Sequence, residues 1–156
     1  TNNAVGAIPR LADMGIEQFL LSASVNLIMA QRLVRKLCEK CKAVDELTPI
    51  LKAEVDKALV GIPKEYLDKV DLKHYKTYKA VGCKECGNIG YKGRMGIFEV
   101  IPLLPELQEI LFAKLPAHKI YEEAAKIGVI TMKQDGVLKV IRGETTMDEI
   151  IRVTTE

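Results

Sequence analysis

Apolar residues recur at three- and four-residue intervals near the start of the chain, a spacing that places them on one side of a helix. The pattern predicts a helix over residues 4–14, ended by Gly15, and a second, more apolar helix over residues 17–30. Pro9 falls inside the first helix, where proline marks either the first turn or a kink. We interpret the apolar side of the second helix as core.

Two later stretches are predicted to be strands. Residues 32–37 fit either a helix end or a strand, and we favour a short strand because the run must deliver Cys38 to a fixed place. Residues 94–101 have a strand pattern, in which Met95, Ile97, Glu99 and Ile101 lie on one face. We expect these two strands to pair. A further short strand is predicted over residues 75–81, leading to Cys83.

Cap and turn residues predict helices in the rest of the chain. Between the paired strands, Thr48 and Pro49 are typical of an N-cap and first helical position, and Gly61 ends that helix. Pro63 begins a second short helix of this insertion. After the second strand, four more helices are predicted to start at Pro105, Pro116, Thr131 and Thr146, and the glycines that end two of them are Gly128 and Gly143.

The predicted elements define an α+β fold that is mostly helical. Short antiparallel strands flank a helical insertion, and a C-terminal helical bundle follows. In that bundle, the helix from Pro105 is predicted to carry Leu115 on its apolar side, and residues 131–134 and 146–149 have the spacing of capping boxes. These start and stop residues make the carboxyl-terminal part the most regular pattern in the chain.

The composition is that of an ordinary globular protein, with 48% apolar and 28% charged residues in a chain of 156. A formal net charge of +2 does not by itself indicate binding to nucleic acid or to a membrane. No apolar run approaches the roughly 20 residues of a transmembrane helix. Because the chain opens at Thr1 without a methionine, we expect it to be a fragment of a longer protein.

The four cysteines of the sequence form two Cys-x-x-Cys pairs, separated by residues 42–82. They are Cys38, Cys41, Cys83 and Cys86. Two short loops brought together would present four sulfurs tetrahedrally, which is the arrangement of a closed structural zinc site. Glycines follow the second pair at positions 87, 90 and 93, and they allow the backbone to turn so that N–H groups point at the thiolates.

Three alternatives to zinc stay open for the cysteines. Disulfides are typical of small secreted chains, whereas we expect no signal peptide here and the chain is long enough to bury a core. A single pair would suit a redox motif, but the two matched pairs have no thioredoxin-like pattern around them. An iron–sulfur cluster accepts the same four thiolates. Reduced, metal-held thiols without a secretory signal predict a cytoplasmic protein.

The basic residues near the cysteines are consistent with a four-thiolate zinc site. A four-thiolate zinc site carries a net charge of about −2, which neighbouring cations can offset without an external partner. The cations around the first pair are Arg32, Arg35, Lys36, Lys40 and Lys42. His74 and His118 are predicted surface residues, with His74 an alternative ligand.

Several segments taken together resemble one family. They are Thr1–Ala4, Arg10–Gly15, Ala30–Cys38, Cys83–Gly87, Gly90–Glu99 and Arg142–Thr146. In order and in cysteine arrangement they are similar, over essentially the whole chain, to the C-terminal part of the bacterial type II secretion and type IV pilus assembly ATPases.

The resemblance implies a fragment of a cytoplasmic hexameric motor, associated peripherally with the inner membrane. In the family, ATP and Mg²⁺ bind a RecA-like core, and the motor works on an inner-membrane platform protein and other secretion or pilus machinery. Residues 1–37 would be the end of that core, residues 38–101 the zinc module with its returning strand, and residues 102–156 a helical subdomain.

No catalytic residue is assigned, because the sequence contains neither Gly-x-x-x-x-Gly-Lys-[Ser/Thr] nor an acidic Walker B segment. The chain alone is therefore predicted not to hydrolyse ATP. Arg94 is either a cofactor-binding residue near the nucleotide cleft or a strand-edge arginine. Arg10 either contacts a neighbouring subunit or nucleotide, or pairs with Asp13 on the helix surface.

The alternative function is a zinc-ribbon-like nucleic-acid-binding module. The near-neutral charge and the lack of interleaved basic and aromatic residues disfavour it. No nucleic-acid partner is therefore expected.

Overall fold

The structure, a computed structural model, describes residues 3–68, 70, 72, 74–112 and 116–155. The helices in this part are α1 (Ala7–Asp13), α2 (Gln18–Ser24), α3 (Pro49–Leu59), α4 (Lys64–Leu67), α5 (Pro105–Phe112), α6 (Ala117–Lys126), α7 (Met132–Ile141) and α8 (Met147–Thr154). The strands are β1 (Leu27–Leu37), β2 (Ala43–Asp45), β3 (Thr77–Lys79) and β4 (Tyr91–Pro102). The α+β prediction is confirmed. None of the helices in the described part of the chain has the length and apolar character needed to cross a bilayer.

The predicted helix over residues 17–30 is wrong in its last part, because α2 ends at Ser24 and β1 begins at Leu27. Its apolar side is also not core, since Phe19 and Leu20 are exposed and the buried residue of α2 is Leu21. Ile28 is buried while Leu27 and Met29 are exposed, which is the two-residue period of a strand with one covered face. Residues 25–30 are apolar apart from one asparagine, so the composition fits a helix and a strand equally. Residues 27–30 form a strand because packing buries one face of β1 and leaves the other exposed.

Strands β1 and β4 pair, as predicted, although both are longer than the predicted segments. The Cys38 N–H donates to the Gly90 carbonyl at 3.0 Å, and the Leu103 N–H donates to the Asn26 carbonyl at 2.9 Å. Because these bonds join the end of one strand to the start of the other, the pair is antiparallel.

The second sheet joins β2 to β3 in antiparallel register, with Val44 opposite Tyr78. The short strand predicted over residues 75–81 is confirmed in its centre. Strand β2 was not predicted, since three residues are too few to show an alternating pattern.

Packing divides the chain into two units. The first consists of Thr1–Gln31 and Phe98–Met132, and the second of Arg32–Ile97 and Lys133–Glu156. The core of the first unit is made of buried aliphatic side chains from its helices and strands and from the segments beside them: Ala4, Val5, Ile8, Ile28, Ile101, Leu103, Leu107, Ile120 and Ala124. Leu115, predicted on the apolar side of α5, lies outside the described residues.

A buried carboxylate also belongs to the first unit. Glu99 on β4 is 3% exposed, and its oxygens accept hydrogen bonds from the Ala4 N–H (2.9 Å), the Tyr121 hydroxyl (2.9 Å) and the Met132 N–H (3.2 Å). Three donors converge on one carboxylate, so the group is satisfied without water.

The predicted N-caps at Thr48 and Thr146 are present in the second unit, but the capping box predicted over residues 146–149 is only half formed. The Thr48 hydroxyl accepts the Leu51 N–H at 3.3 Å, with Pro49 at the first position of α3. The Thr146 hydroxyl accepts the Glu149 N–H at 3.4 Å at the start of α8. The carboxylate of Glu149 points elsewhere, to Arg35 and Arg152.

Candidate metal centre

The four cysteine sulfurs of the second unit meet in one cluster. All four Sγ atoms lie within 4.8 Å of one another, and the group has the composition and spacing that could hold a metal ion. Cys38 is 3.9 Å from Cys83, and Cys86 is 3.8 Å from both Cys41 and Cys83. A zinc ion with four Zn–S bonds of about 2.3 Å requires sulfurs about 3.8 Å apart at the corners of a tetrahedron. These three separations fit that figure, and the other sulfur pairs lie within 4.8 Å.

Each pair sits on a tight turn closed by the carbonyl of its first cysteine. The Cys38 carbonyl accepts the Cys41 N–H at 3.2 Å, and the Cys83 carbonyl accepts the Cys86 N–H at 3.2 Å. The first turn directly follows β1, and the second is a short 3₁₀ helix, Lys84–Cys86. Because β1 and β4 pair, Cys38 is bonded to Gly90 and the two turns are brought together.

Backbone N–H groups donate to two of the sulfurs. The Cys83 and Gly90 N–H groups both lie 3.2 Å from the Cys86 sulfur, and the Gly82 N–H lies 3.3 Å from the Cys41 sulfur. The predicted role of a glycine N–H is confirmed at Gly90. Gly82 was missed because it precedes the second pair, whereas the prediction considered only the glycines after it.

Both donor glycines lie too close to neighbouring backbone to carry a side chain. A Cβ at Gly82 would lie 2.6 Å from the Asn88 carbonyl oxygen, and one at Gly90 would lie 2.5 Å from the Ala80 Cβ. Their φ angles of +117° and +75° also favour glycine. The close approach is what lets these N–H groups reach sulfur.

The protein environment shifts the pKa values of two of the cysteine thiols in opposite directions. Burial opposes ionisation of Cys86, but the N–H groups of Cys83 and Gly90 outweigh it and lower its pKa to about 6. At Cys41, burial outweighs the Gly82 N–H and raises the pKa to about 12. The cluster thus favours one thiolate and disfavours another, and a bound cation would supply the charge needed to hold all of them ionised.

The cysteines are free thiols, not disulfide partners. Sulfur separations of 3.8–3.9 Å are almost twice the roughly 2.05 Å of a disulfide bond. The disulfide alternative therefore does not describe this structure.

The basic residues predicted near the first cysteine pair differ in their contacts and in their exposure. Lys42 Nζ lies 2.7 Å from a Glu39 carboxylate oxygen and donates to the Gly143 carbonyl at 2.9 Å. Arg35 pairs with Glu149 at 2.7 Å and covers the Tyr91 ring, 4.1 Å from its centroid. Lys36 and Lys40 are exposed, and Arg32 is half-buried.

The remaining predicted residues lie on the surface. His74 and His118 are exposed, as predicted, and neither belongs to the sulfur cluster found among the described residues. Arg10 is exposed on α1, and Arg94 is exposed on β4. The nucleotide role considered for Arg94 stays a prediction.

The chain is similar to known proteins over nearly its whole length. The sequence matches the family described as "Type II/IV secretion system protein" over residues 1–152. It is 35% identical to the type II secretion system protein E of Xanthomonas campestris pv. campestris, covering 100% of this chain and 26% of that protein.

Two relatives from Pseudomonas aeruginosa are a type II secretion protein and a type IV pilus assembly protein. The chain is 38% identical to its type II secretion system protein E and 39% identical to its type IV pilus assembly ATPase PilB. Each match covers 100% of this chain, and 28% and 26% of the respective relative. The chain thus spans about a quarter of the length of the curated relatives it matches.

The structure is an α+β chain with a four-cysteine cluster able to hold a metal. With the family match over nearly its whole length, the chain belongs to the type II/IV secretion system protein family.

Proposed function

We propose that this chain is the C-terminal part of a hexameric ATPase that powers type II secretion or type IV pilus assembly. The support is the family match over residues 1–152 and relatives named for both processes. In this proposal the chain contributes contacts to neighbouring subunits or to an inner-membrane platform protein, at the cytoplasmic face of that membrane. The three predicted segments, 1–37, 38–101 and 102–156, belong to the same proposal.

The four cysteines would hold a structural zinc ion. The observation that carries this is the sulfur cluster, in which three sulfur pairs are 3.8–3.9 Å apart, as in a zinc tetrahedron, and all pairs lie within 4.8 Å. The ligands would be Cys38, Cys41, Cys83 and Cys86. Four protein ligands leave no position for water, so the ion would stabilise the fold and not act as a Lewis acid.

ATP and Mg²⁺ belong to the whole protein in this proposal. The sequence here contains no Gly-x-x-x-x-Gly-Lys-[Ser/Thr], whose backbone would cradle phosphates. The chain alone should therefore show no ATP hydrolysis above a buffer control. Arg94 is a candidate contact to nucleotide only in the assembled protein.

Metal analysis tests the zinc site directly. The purified chain should contain about one zinc per molecule, and X-ray absorption should show four sulfur neighbours at about 2.3 Å. Iron accompanied by visible absorbance would contradict the assignment.

A segment exchange tests the motor role. The chain replaces the matching segment in each of the two Pseudomonas aeruginosa relatives, and protein secretion and pilus extension are measured in the corresponding deletion strains. Restoration of one process would identify the branch, and the same exchange carrying Cys83→Ser should fail. A chimera that forms hexamers and hydrolyses ATP but restores neither process would contradict the proposal.

A further inference from the structure

Lys42 links the first cysteine turn to a distant part of the second unit. It directly follows Cys41, and its side chain is only 20% exposed. Its Nζ donates to the Gly143 carbonyl at 2.9 Å and lies 5.0 Å from the centroid of the Tyr78 ring. Glu39, from the same turn, pairs with it at 2.7 Å. One ammonium group thus contacts the cysteine turn, β3 and the chain after α7.

Gly143 lies in the turn between α7 and α8, which we define as residues 142–146. Its φ is +72°, and a Cβ there would lie 2.8 Å from the Tyr78 ring. Carbonyls at the end of a helix carry partial negative charge, which favours a nearby cation. The contact therefore combines a charge-assisted hydrogen bond with close ring packing.

A second bond ties the α7–α8 turn to the same region. The Leu37 N–H, at the end of β1, donates to the Glu144 carbonyl at 2.8 Å. Leu37 immediately precedes Cys38, so residues on both sides of the first cysteine turn hold consecutive carbonyls of the α7–α8 turn. The position of this turn depends on where the cysteine turn is held.

We propose that Lys42 transmits metal occupancy to the α7–α8 turn. The inference rests on the proposed metal site but not on the proposed motor role. A bound ion fixes residues 38–42 against residues 83–86, which holds the Lys42 ammonium against the Gly143 carbonyl. Without the ion, the first cysteine turn is no longer held against residues 83–86. The α7–α8 turn then loses the contact between the Lys42 ammonium and the Gly143 carbonyl. Lys42 is a positioning residue and not a metal ligand.

Hydrogen exchange measures the first consequence. In the wild-type chain, zinc should slow exchange of the residue 142–144 amides by at least about tenfold relative to the chelated chain, the size of a modest coupling free energy. Lys42→Met should abolish most of that effect while retaining about one zinc per chain. In the chelated state the two proteins should exchange alike. Lys40→Met, at an exposed lysine of the same turn, is the control and should behave as wild type.

Zinc affinity measures the reciprocal consequence, because coupling between two sites acts equally in both directions. Lys42→Met should weaken zinc binding, measured by chelator competition, by the same factor that it removes from the exchange effect. Gly143→Ala should also weaken it, since the new Cβ would collide with Tyr78. Gly61→Ala is the matched control, with a similar φ of +79° and nothing within 4 Å of the added Cβ.

The outcomes separate the alternatives. If Lys42→Met speeds exchange of the α7–α8 turn equally with and without zinc, Lys42 is only a stabilising residue and the coupling is refuted. If zinc binds but leaves exchange of the turn unchanged in the wild type, the coupling is likewise refuted. Failure to bind any metal would overturn the coupling and the proposed zinc site together, whereas failure of the segment exchange with zinc bound would affect the motor role alone.

Discussion

Arg35 and Glu149 are joined by both backbone and side chain. The Glu149 carboxylate accepts the Arg35 N–H at 2.8 Å and its guanidinium at 2.7 Å, and the same carboxylate binds Arg152 one helical turn later. The Glu149 side chain is 1% exposed. The Tyr91 ring lies under Arg35, and its hydroxyl is 3.0 Å from Thr146, the cap of α8. This network fixes the start of α8 against β1 and β4 within the second unit.

Glu149→Gln should destabilise the second unit in a pH-dependent way. Burial opposes ionisation of Glu149, but hydrogen bonds from Arg152 and Arg35 outweigh it and lower the pKa to about 2. A carboxyl with an ordinary unfolded-state pKa of about 4.3 would then contribute roughly 3 kcal/mol to folding at neutral pH. Because the folded-state pKa is the lower one, this stabilisation is present above about pH 4.3 and is lost as the pH falls toward 2.

Denaturant unfolding of wild type and variant across this pH range measures the effect. The gap in unfolding free energy should be largest near neutral pH and should narrow in acid. Loss of metal in acid affects both proteins, so the difference between them isolates Glu149. Asp148→Asn, at an exposed acid in the same turn, should leave the pH profile unchanged. A gap that stays constant down to pH 2 would refute the electrostatic explanation.

The network also shows what sequence alone could and could not predict. Thr146 and Glu149 have capping-box spacing, which is a local pattern, and the hydroxyl half of the cap is present. Arg152 lies one helical turn from Glu149, but the other partner of the carboxylate, Arg35, is 114 positions away in sequence, and no local pattern specifies it. The cysteine cluster could be predicted because two short pairs limit which residues can be ligands. The end of α2 could not, because an apolar run fits both periods and only packing decides between them.

Gly90→Ala should weaken metal binding in the second unit. The added Cβ would lie 2.5 Å from the Ala80 Cβ and 2.9 Å from Ala80 backbone atoms, so the Gly90 N–H would move away from the Cys86 sulfur. That N–H helps to lower the pKa of Cys86, and its loss would favour the thiol over the metal-binding thiolate. We expect at least about a tenfold loss of zinc affinity, equivalent to one hydrogen bond to a charged group.

Gly87→Ala is the matched control for this prediction. Gly87 has a φ of +62°, so alanine is strained there too, but a Cβ would meet nothing within 4 Å. Chelator competition on both variants separates backbone strain from the collision. Equal losses of affinity at the two positions would show that strain alone is responsible.

Glu99→Gln should destabilise the first unit more than removal of any single donor to the carboxylate. Glutamine retains one acceptor oxygen, but its NH₂ group must face either the Met132 N–H or the pair formed by the Ala4 N–H and the Tyr121 hydroxyl. Two buried donors would then point at each other, at a cost of about 1–3 kcal/mol. Tyr121→Phe removes one donor and leaves the other two bonds intact, so its cost should be smaller.

Denaturant unfolding of the two variants, together with hydrogen exchange of the core amides of the first unit, measures both costs. Glu106→Gln, at an exposed acid of α5, is the control and should stay within about 0.5 kcal/mol of wild type. A smaller loss for Glu99→Gln than for Tyr121→Phe would mean that the carboxylate does not organise these three donors.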